Sequence, residues 1–177
     1  MPDQNVSVRP FIRGGKPAED RWVLIREEDA ALPASPAIVP LARWQELKGS
    51  QELAPWLGSD TELTPELADE LASAPLIAID FPKFTDGRGY SLARLLRERY
   101  GYDGEIRAIG DVLVDQAFFL TRCGFDALSL REDQWLEDAL QALNAFSRAY
   151  QPAVDVDEPL FRRRMREAVK HAEPALA

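Results

Sequence analysis

The sequence predicts an α/β single domain built on a mostly parallel sheet of about 4–5 strands. Between residues 75 and 150, apolar runs of strand length alternate with amphipathic runs of helix length, and the connections are short. Such alternation favours parallel strands joined by helices on the sheet. The chain has 177 residues, whereas a complete eight-unit barrel takes about 250. Two arrangements remain open, a partial-barrel-like sheet and a doubly wound sheet.

Three strand–helix units account for the strongest signal. The first strand, LIAIDF, is almost entirely apolar, as expected for a strand covered on both faces. Asp111 stands where an N-cap would begin the second helix. The expected order is strand 76–81, helix 90–100, strand 105–109, helix 112–123, strand 125–130 and helix 132–150.

Weaker signals come before and after these units. Thr64 and Pro65 are suited to the N-cap and first turn of a helix over 64–73. The other early elements expected are strands 22–25 and 37–41 and a helix over 43–54. The predicted domain therefore spans 21–150, with its core units in 75–150. A polar lead-in, 1–20, precedes it, and a charged tail, 151–177, follows with a terminal helix over 161–170.

The count of metal-binding residue types limits the chemistry. The chain has one cysteine, Cys123, and one histidine, His171. These cannot supply a four-cysteine iron–sulfur cluster or a zinc site of paired cysteines and histidines, so neither is expected as an intrinsic cofactor. A serine or cysteine triad is not expected either, because His171 lies in the polar tail. Cys123 is interpreted as a small buried residue rather than a nucleophile.

Charge and hydropathy bear on partners and location. The net charge of −9 disfavours nucleic-acid binding, which needs clustered cationic side chains. No apolar run approaches the roughly 18 residues that span a membrane. The N-terminus also lacks the pattern of a secretory signal. We therefore expect a cytoplasmic protein with no membrane partner, and the sequence leaves homo-oligomers open.

The richest candidate site is the loop after strand 76–81. Ligands of parallel sheets gather where the strands end, and glycine-containing turns into helices suit small anions. A plain structural turn is the alternative, since DGRGYS is no established nucleotide fingerprint. The candidate anion- or cofactor-binding residues in this loop are Lys83, Asp86, Gly87, Arg88, Gly89, Tyr90 and Ser91.

A second loop adds Arg107 and Asp111 to the candidates. Asp111 could serve only as a helix cap, and it shares a helical face with Asp115. The two carboxylates could hold the guanidinium of Arg88 or Arg107, or they could transfer protons. An ion pair is the favoured interpretation.

Residues 79–127 contain, in order, FPKFTDGRGYS, LLRER, GEIRAIGDV and RCGFDA. This block resembles the bacterial domain-of-unknown-function 934 family, whose members are described as oxidoreductases of sulfite reduction. Their genes usually lie beside a sulfite or nitrite reductase that carries siroheme and an iron–sulfur cluster. The family has no agreed catalytic residues, so the resemblance assigns none here.

The resemblance implies an accessory protein of assimilatory sulfite reduction, within sulfur assimilation, with a sulfite/nitrite reductase or its electron donor as partner. One alternative is an oxidoreductase with a dissociable flavin or nicotinamide cofactor, which needs no cysteine ligands. Another is a small-anion binding domain without turnover. The sequence leaves the cofactor and any catalytic activity open.

Overall fold

A single sheet organises the molecule. The structure, a computed structural model, describes residues 9–49, 52–145 and 151–172. Their strands are β1 (Phe11–Arg13), β2 (Lys16–Pro17), β3 (Val23–Leu24), β4 (Ala37–Pro40), β5 (Leu53–Leu57), β6 (Leu76–Phe81), β7 (Glu105–Gly110) and β8 (Ala127–Ser129). The spatial order is β2-β1-β8-β7-β6-β5-β4-β3. Neighbours from β3 to β8 are parallel, while β1 is antiparallel to both β2 and β8.

The helices connect these strands on one face of the sheet. Buried side chains from each of the first five helices join a single core cluster with Ile77, Ile79 and Ala108 of the sheet. The helices are α1 (Leu41–Leu47), α2 (Pro65–Leu71), α3 (Arg88–Arg94), α4 (Ala117–Arg122), α5 (Leu136–Leu143) and α6 (Leu160–Ala172). A π-helical turn, Leu95–Arg99, extends α3, and a 3₁₀ turn, Val114–Gln116, leads into α4.

The sheet curls into a half-barrel, which confirms the partial-barrel-like alternative. A doubly wound sheet requires the strand order to reverse at a switch point, with helices on both faces. Here β3 to β8 follow one another in chain order, so successive crossovers wind in one direction. The doubly wound alternative is therefore wrong for the described residues. The predicted count of 4–5 strands is also wrong, because the described part of the chain forms an eight-stranded sheet.

Two of the additional strands come from an unexpected place. Residues within the stretch predicted as a polar lead-in form β1 and β2, the antiparallel edge of the sheet. Phe11 and Ile12 are nevertheless buried, because β1 pairs with β8. Such an edge depends on a partner more than 100 residues away, so local sequence patterns do not reveal it.

The sequence did not predict strand β5, because this strand contains a proline. The sequence predicted a helix over 43–54, whereas α1 ends at Leu47 and β5 starts at Leu53. Pro55 lies inside β5, although proline is disfavoured in interior strands because it cannot donate a ladder hydrogen bond. The ladder between β5 and β6 begins only after it, at Trp56 opposite Ala78. Tertiary pairing thus overrides the local preference.

The central units agree more closely with the sequence. Strand β6 has the predicted bounds, and the Thr64 hydroxyl accepts a hydrogen bond from the Leu67 amide, 3.2 Å away, as an N-cap does. Asp111 is not the N-cap of the second helix, which starts later through the 3₁₀ turn. The helix predicted over 132–150 corresponds to α5, and residues 146–150 at its end lie outside the described residues. The terminal helix predicted over 161–170 corresponds to α6.

The inner face of the half-barrel has its own smaller core. Alternate strand residues point away from the helices and pack with Trp22 and, at its edge, Trp56. Arg107 also points to this face and is fully buried. The segment around Asp20 crosses over it, since both Asp20 carboxylate oxygens accept hydrogen bonds from the Arg107 guanidinium at 2.7 and 2.8 Å. The N-terminal residues therefore cover part of the open side of the sheet.

Candidate functional site

A cavity of about 300 Å³ opens at the edge where the parallel strands end. Half-barrels and open parallel sheets bind ligands at this edge because loops from several strands converge there. We call this cavity the arginine pocket, after three of its lining residues. It is lined by Arg9, Arg26, Asp80, Phe81, Pro82, Gly110, Asp111 and Arg131.

The antiparallel edge strand brings Arg9 into the pocket. Because β1 runs opposite to β8, the residues before β1 lie at the end of β8, where the Leu130 amide donates to the Pro10 carbonyl oxygen at 2.9 Å. The Arg9 guanidinium then donates to the carbonyl oxygen of Gly110, at the end of β7. A parallel strand in the same place would have sent this residue to the other rim.

The curl of the sheet brings Arg26 to the same pocket. Arg26 follows β3, and β4 and β5 separate that strand from β6. Its guanidinium nevertheless reaches the Asp80 carboxylate at the end of β6, 2.9 Å away. A flat sheet would keep strands three places apart at about 14 Å, given the 4.7–4.9 Å spacing of neighbours. Curvature closes this gap across the inner face.

Arg131 is already neutralised by the protein. It follows β8 and binds Asp111 at 2.7 Å and Asp133 at 2.6 Å. These hydrogen bonds raise the pKa of Arg131 and lower the pKa of Asp133 to about 2. The pKa of Asp111 is also lowered, chiefly by the hydrogen bond that its carboxylate accepts from the Phe84 amide. Arg131 therefore fixes the rim loops to one another.

Arg9 differs from the other two arginines in lacking a carboxylate partner among the described residues. Its pKa is lowered, first by burial and then by the neighbouring charge of Arg26. Within the lining, three guanidinium groups face the two carboxylates of Asp80 and Asp111. Asp133, outside the lining, also pairs with Arg131, so the three guanidinium groups are balanced by three carboxylates. Because Arg131 binds two of these carboxylates and Arg26 binds the third, Arg9 is the guanidinium left without a carboxylate partner among the described residues.

The family described as "Bacterial protein of unknown function (DUF934)" matches residues 55–161. The match covers more than half of the chain and extends beyond the 79–127 block on both sides. The chain belongs to this family. No curated protein and no solved structure matches it.

In this DUF934 member, the two charged residues of the DGRGYS segment, Asp86 and Arg88, form an ion pair with each other. Asp86 accepts hydrogen bonds from the Arg88 side chain at 2.7 and 3.0 Å and from the Ser59 hydroxyl at 2.6 Å. The Arg88 side-chain bonds, followed by the Ser59 bond, lower the pKa of Asp86, and the same pair raises the pKa of Arg88. Neither residue lines the arginine pocket, and anion binding at this loop stays a prediction.

The other candidates in this loop either pack against neighbouring aromatic rings or are exposed to solvent. Gly89 is buried, and a Cβ there would stand 2.7 Å from the Phe81 ring, so glycine lets α3 approach β6. Tyr90 is half-buried between the rings of Phe81 and Phe119, at centroid distances of 5.3 and 5.0 Å. The side chains of Lys83 and Ser91 are exposed, as is Gly87.

The two candidates of the second loop separate in the structure. Asp111 lines the arginine pocket, as its position after β7 suggested. Arg107 lies inside the half-barrel, where its guanidinium binds Glu105 and Asp20 and stacks on Phe11, with 4.5 Å from the guanidinium carbon to the ring centroid. The expectation that Asp111 and Asp115 hold Arg88 or Arg107 is wrong. Arg88 forms its ion pair with Asp86, and Arg107 forms ion pairs with Asp20 and Glu105.

Sequence reasoning did not select Arg9, Arg26, Asp80 or Arg131. Asp80 and Arg131 stand at predicted strand ends, so strand topology alone could have singled them out. Arg9 and Arg26 lie in stretches without a clear pattern, and only the antiparallel edge and the curl of the sheet bring them to this rim.

The described residues contain neither a cluster of metal-ligand side chains nor a membrane-spanning helix. In ranges 9–49, 52–145 and 151–172, no three His, Cys, Asp or Glu side chains are grouped as metal ligands would be. None of the helices in those ranges has the length and apolar character to cross a membrane.

Proposed function

We propose that this DUF934 member is a cytoplasmic accessory protein of assimilatory sulfite reduction that binds a small oxyanion, such as sulfite, in the arginine pocket. The pathway rests on the resemblance of residues 79–127 to the family. The ligand class rests on the pocket. A sulfite or nitrite reductase, or its electron donor, is the proposed partner.

The observation that supports oxyanion binding best is that Arg9 has no carboxylate partner among the described residues. Guanidinium groups form strong, directional hydrogen bonds with oxyanions. Arg131 is saturated by Asp111 and Asp133, whereas Arg9 is held only by the Gly110 carbonyl oxygen among the described residues. The pKa of Arg9 is lowered by its burial and, second, by repulsion from Arg26, and an oxyanion beside the two arginines would offset both effects.

The size of the pocket favours a small ligand over a flavin or nicotinamide cofactor. Its volume of about 300 Å³ lies at the lower end of the range for small-molecule sites, roughly 300 to 1,000 Å³. Such a space suits a tetrahedral or pyramidal oxyanion with a few waters. An oxidoreductase with a dissociable cofactor therefore remains the less favoured alternative.

Calorimetric titration with sulfite tests the binding proposal. We expect Arg9→Gln to weaken sulfite binding tenfold or more, because a hydrogen bond to a charged group contributes about 1.5–3 kcal/mol. Stability should change little, since Arg9 forms no ion pair with the described residues. The matched control is Arg94→Gln, which removes an exposed arginine paired with Glu98 on α3.

The two variants lose the same charge, so a general electrostatic effect would weaken binding in both. Equal weakening in Arg9→Gln and Arg94→Gln would contradict the assignment of the pocket. Absence of any sulfite binding by the folded wild-type chain would refute the oxyanion proposal as a whole.

Exposed aromatic residues beside the rim support a partner protein. The aromatic patch comprises Phe119, which is 57% exposed, Trp135, which is 72% exposed, and half-exposed Phe84. Hydrogen bonds join the surroundings of these residues to the 3₁₀ turn before α4. The Gln116 amide donates to the Phe84 carbonyl oxygen at 2.8 Å, and the Gln134 side chain, next to Trp135, accepts from the Val114 amide at 2.9 Å. Exposed aromatic side chains of this kind are enriched at protein interfaces.

Affinity purification from sulfate-grown cells tests the partner. We expect the wild-type chain to capture the reductase, and Phe119→Ser together with Trp135→Ser to reduce that capture at least tenfold, because anchoring aromatics dominate binding energy. The control is Phe161→Ser, which removes a similarly exposed aromatic on α6 that does not belong to the patch. Capture by the double variant at the wild-type level would contradict this surface.

A further inference from the structure

Asp80 places a buried carboxylate in the wall of the arginine pocket. The residue is 8% exposed, and its Oδ1 accepts a hydrogen bond from Arg26 at 2.9 Å. Among the described residues, none donates a hydrogen bond to the other oxygen, Oδ2. Oδ2 is not among the fully buried side-chain atoms that lack a hydrogen-bond partner, so it is open to the pocket, where a ligand or water can supply the donor.

Asp111, the other carboxylate of the lining, is different. Its Oδ1 accepts from Arg131 at 2.7 Å and its Oδ2 accepts from the Phe84 amide at 2.8 Å. Both of its oxygens are therefore already occupied by protein donors. Asp80 is the lining carboxylate with an acceptor left for a ligand.

An acceptor of this kind distinguishes oxyanions by their protons. A fully deprotonated oxyanion next to a carboxylate suffers charge repulsion, and the low dielectric of a partly buried site strengthens it. An oxyanion that keeps a proton can instead donate an O–H hydrogen bond to the carboxylate, while the arginines bind its other oxygens. The same carboxylate thus attracts one class of anion and repels the other.

We propose that Asp80 makes the pocket selective for oxyanions that carry a proton at neutral pH. Sulfite and inorganic phosphate both exist in protonated forms near pH 7, whereas sulfate does not. This inference rests on the proposed function, because it requires the arginine pocket to bind an oxyanion. It adds that the pocket discriminates against sulfate, the more oxidised sulfur oxyanion.

Competitive calorimetry at pH 7 with sulfite, inorganic phosphate and sulfate tests the selectivity. In the wild-type chain we expect sulfite and phosphate to bind at least tenfold more tightly than sulfate. In Asp80→Asn, whose amide can donate to a deprotonated oxyanion, we expect the preference of phosphate over sulfate to fall at least tenfold. The control is Asp69→Asn, which removes one exposed carboxylate from α2 and should leave the preference unchanged.

The outcomes separate the two proposals. If the folded wild-type chain binds none of the three anions, the proposed function fails and this inference fails with it. If it binds sulfate as tightly as phosphate, oxyanion binding stands and the role of Asp80 is overturned. This wild-type comparison also decides the matter if Asp80→Asn does not fold, since that variant loses the partner of Arg26.

Discussion

Replacing Arg107 with methionine is expected to lower the free energy of unfolding by about 3 kcal/mol. Removing one partner of a buried ion pair typically costs about 3–5 kcal/mol because the remaining charge loses its compensation. We place the effect at the lower end, since Glu105 keeps Arg13 at 2.8 Å and Asp20 keeps a hydrogen bond from the Trp22 amide. Urea unfolding followed by circular dichroism measures the change.

A second variant distinguishes the loss of the ion pairs in Arg107→Met from a loss of side-chain packing. Methionine retains most of the apolar volume of arginine, so the expected loss comes from the uncompensated carboxylates. Combining Arg107→Met with Glu105→Gln and Asp20→Asn should therefore recover much of the stability, as replacing a whole buried ionic group often does.

The matched control for Arg107 is Arg94→Met, which breaks an exposed pair with Glu98 four residues away on a helix. Such surface pairs contribute about 0.3–0.5 kcal/mol. Equal destabilisation by Arg107→Met and Arg94→Met would show that Arg107 does not hold the N-terminal segment over the sheet.

A similarly large effect is expected for Gly110→Ala, which should destabilise the fold by about 2–4 kcal/mol. Gly110 has a φ of +93°, where side chains are strained, and an added Cβ would clash with the Phe81 carbonyl oxygen. Backbone strain costs about 1–3 kcal/mol and overpacking a similar amount. For a chain of this length, we expect a melting temperature lower by roughly 5–15 °C.

The same substitution should damage the arginine pocket. The added Cβ would also come within 2.6 Å of Asp80 Oδ1, and Gly110 provides the carbonyl oxygen that binds Arg9. Sulfite affinity should therefore fall together with stability.

Gly87→Ala is the control within the same motif block. Gly87 has a φ of −81°, and no atom lies within 4 Å of an added Cβ. Alanine at such a position is neutral or stabilises by a few tenths of a kcal/mol, through the unfolded state. A Gly110→Ala variant as stable as Gly87→Ala would contradict the backbone geometry at the end of β7.

The local pattern was sufficient where one element determines its own conformation. LIAIDF predicted β6 with its observed bounds, and Thr64 capped α2 as expected, because both signals depend on neighbouring residues only. Asp111 shows the limit of such signals. An aspartate after a strand suits a helix cap, but the Phe84 amide and Arg131 bind it instead, and both approach from other loops.

The arginine pocket lies at the sheet edge where the sequence placed its candidates, but most of its residues are different. Asp111 is the one predicted candidate that lines the arginine pocket. The DGRGYS loop was predicted to bind an anion or cofactor because its charged residues and glycines are adjacent in sequence. In the structure, Asp86 and Arg88 bind each other and Ser59. Their adjacency in sequence therefore produces a local ion pair.

The sequence by itself determined the class of the fold, the family through residues 79–127, and the rim at which ligands would be sought. Those properties follow from periodicity and motif order, which are local. Only the tertiary structure decided that the sheet curls, that β1 is antiparallel, and that Arg9 and Arg26 meet Asp80. These residues are up to 71 positions apart in the sequence. They meet because strands pair and the sheet curves, and patterns among neighbouring residues do not predict either effect.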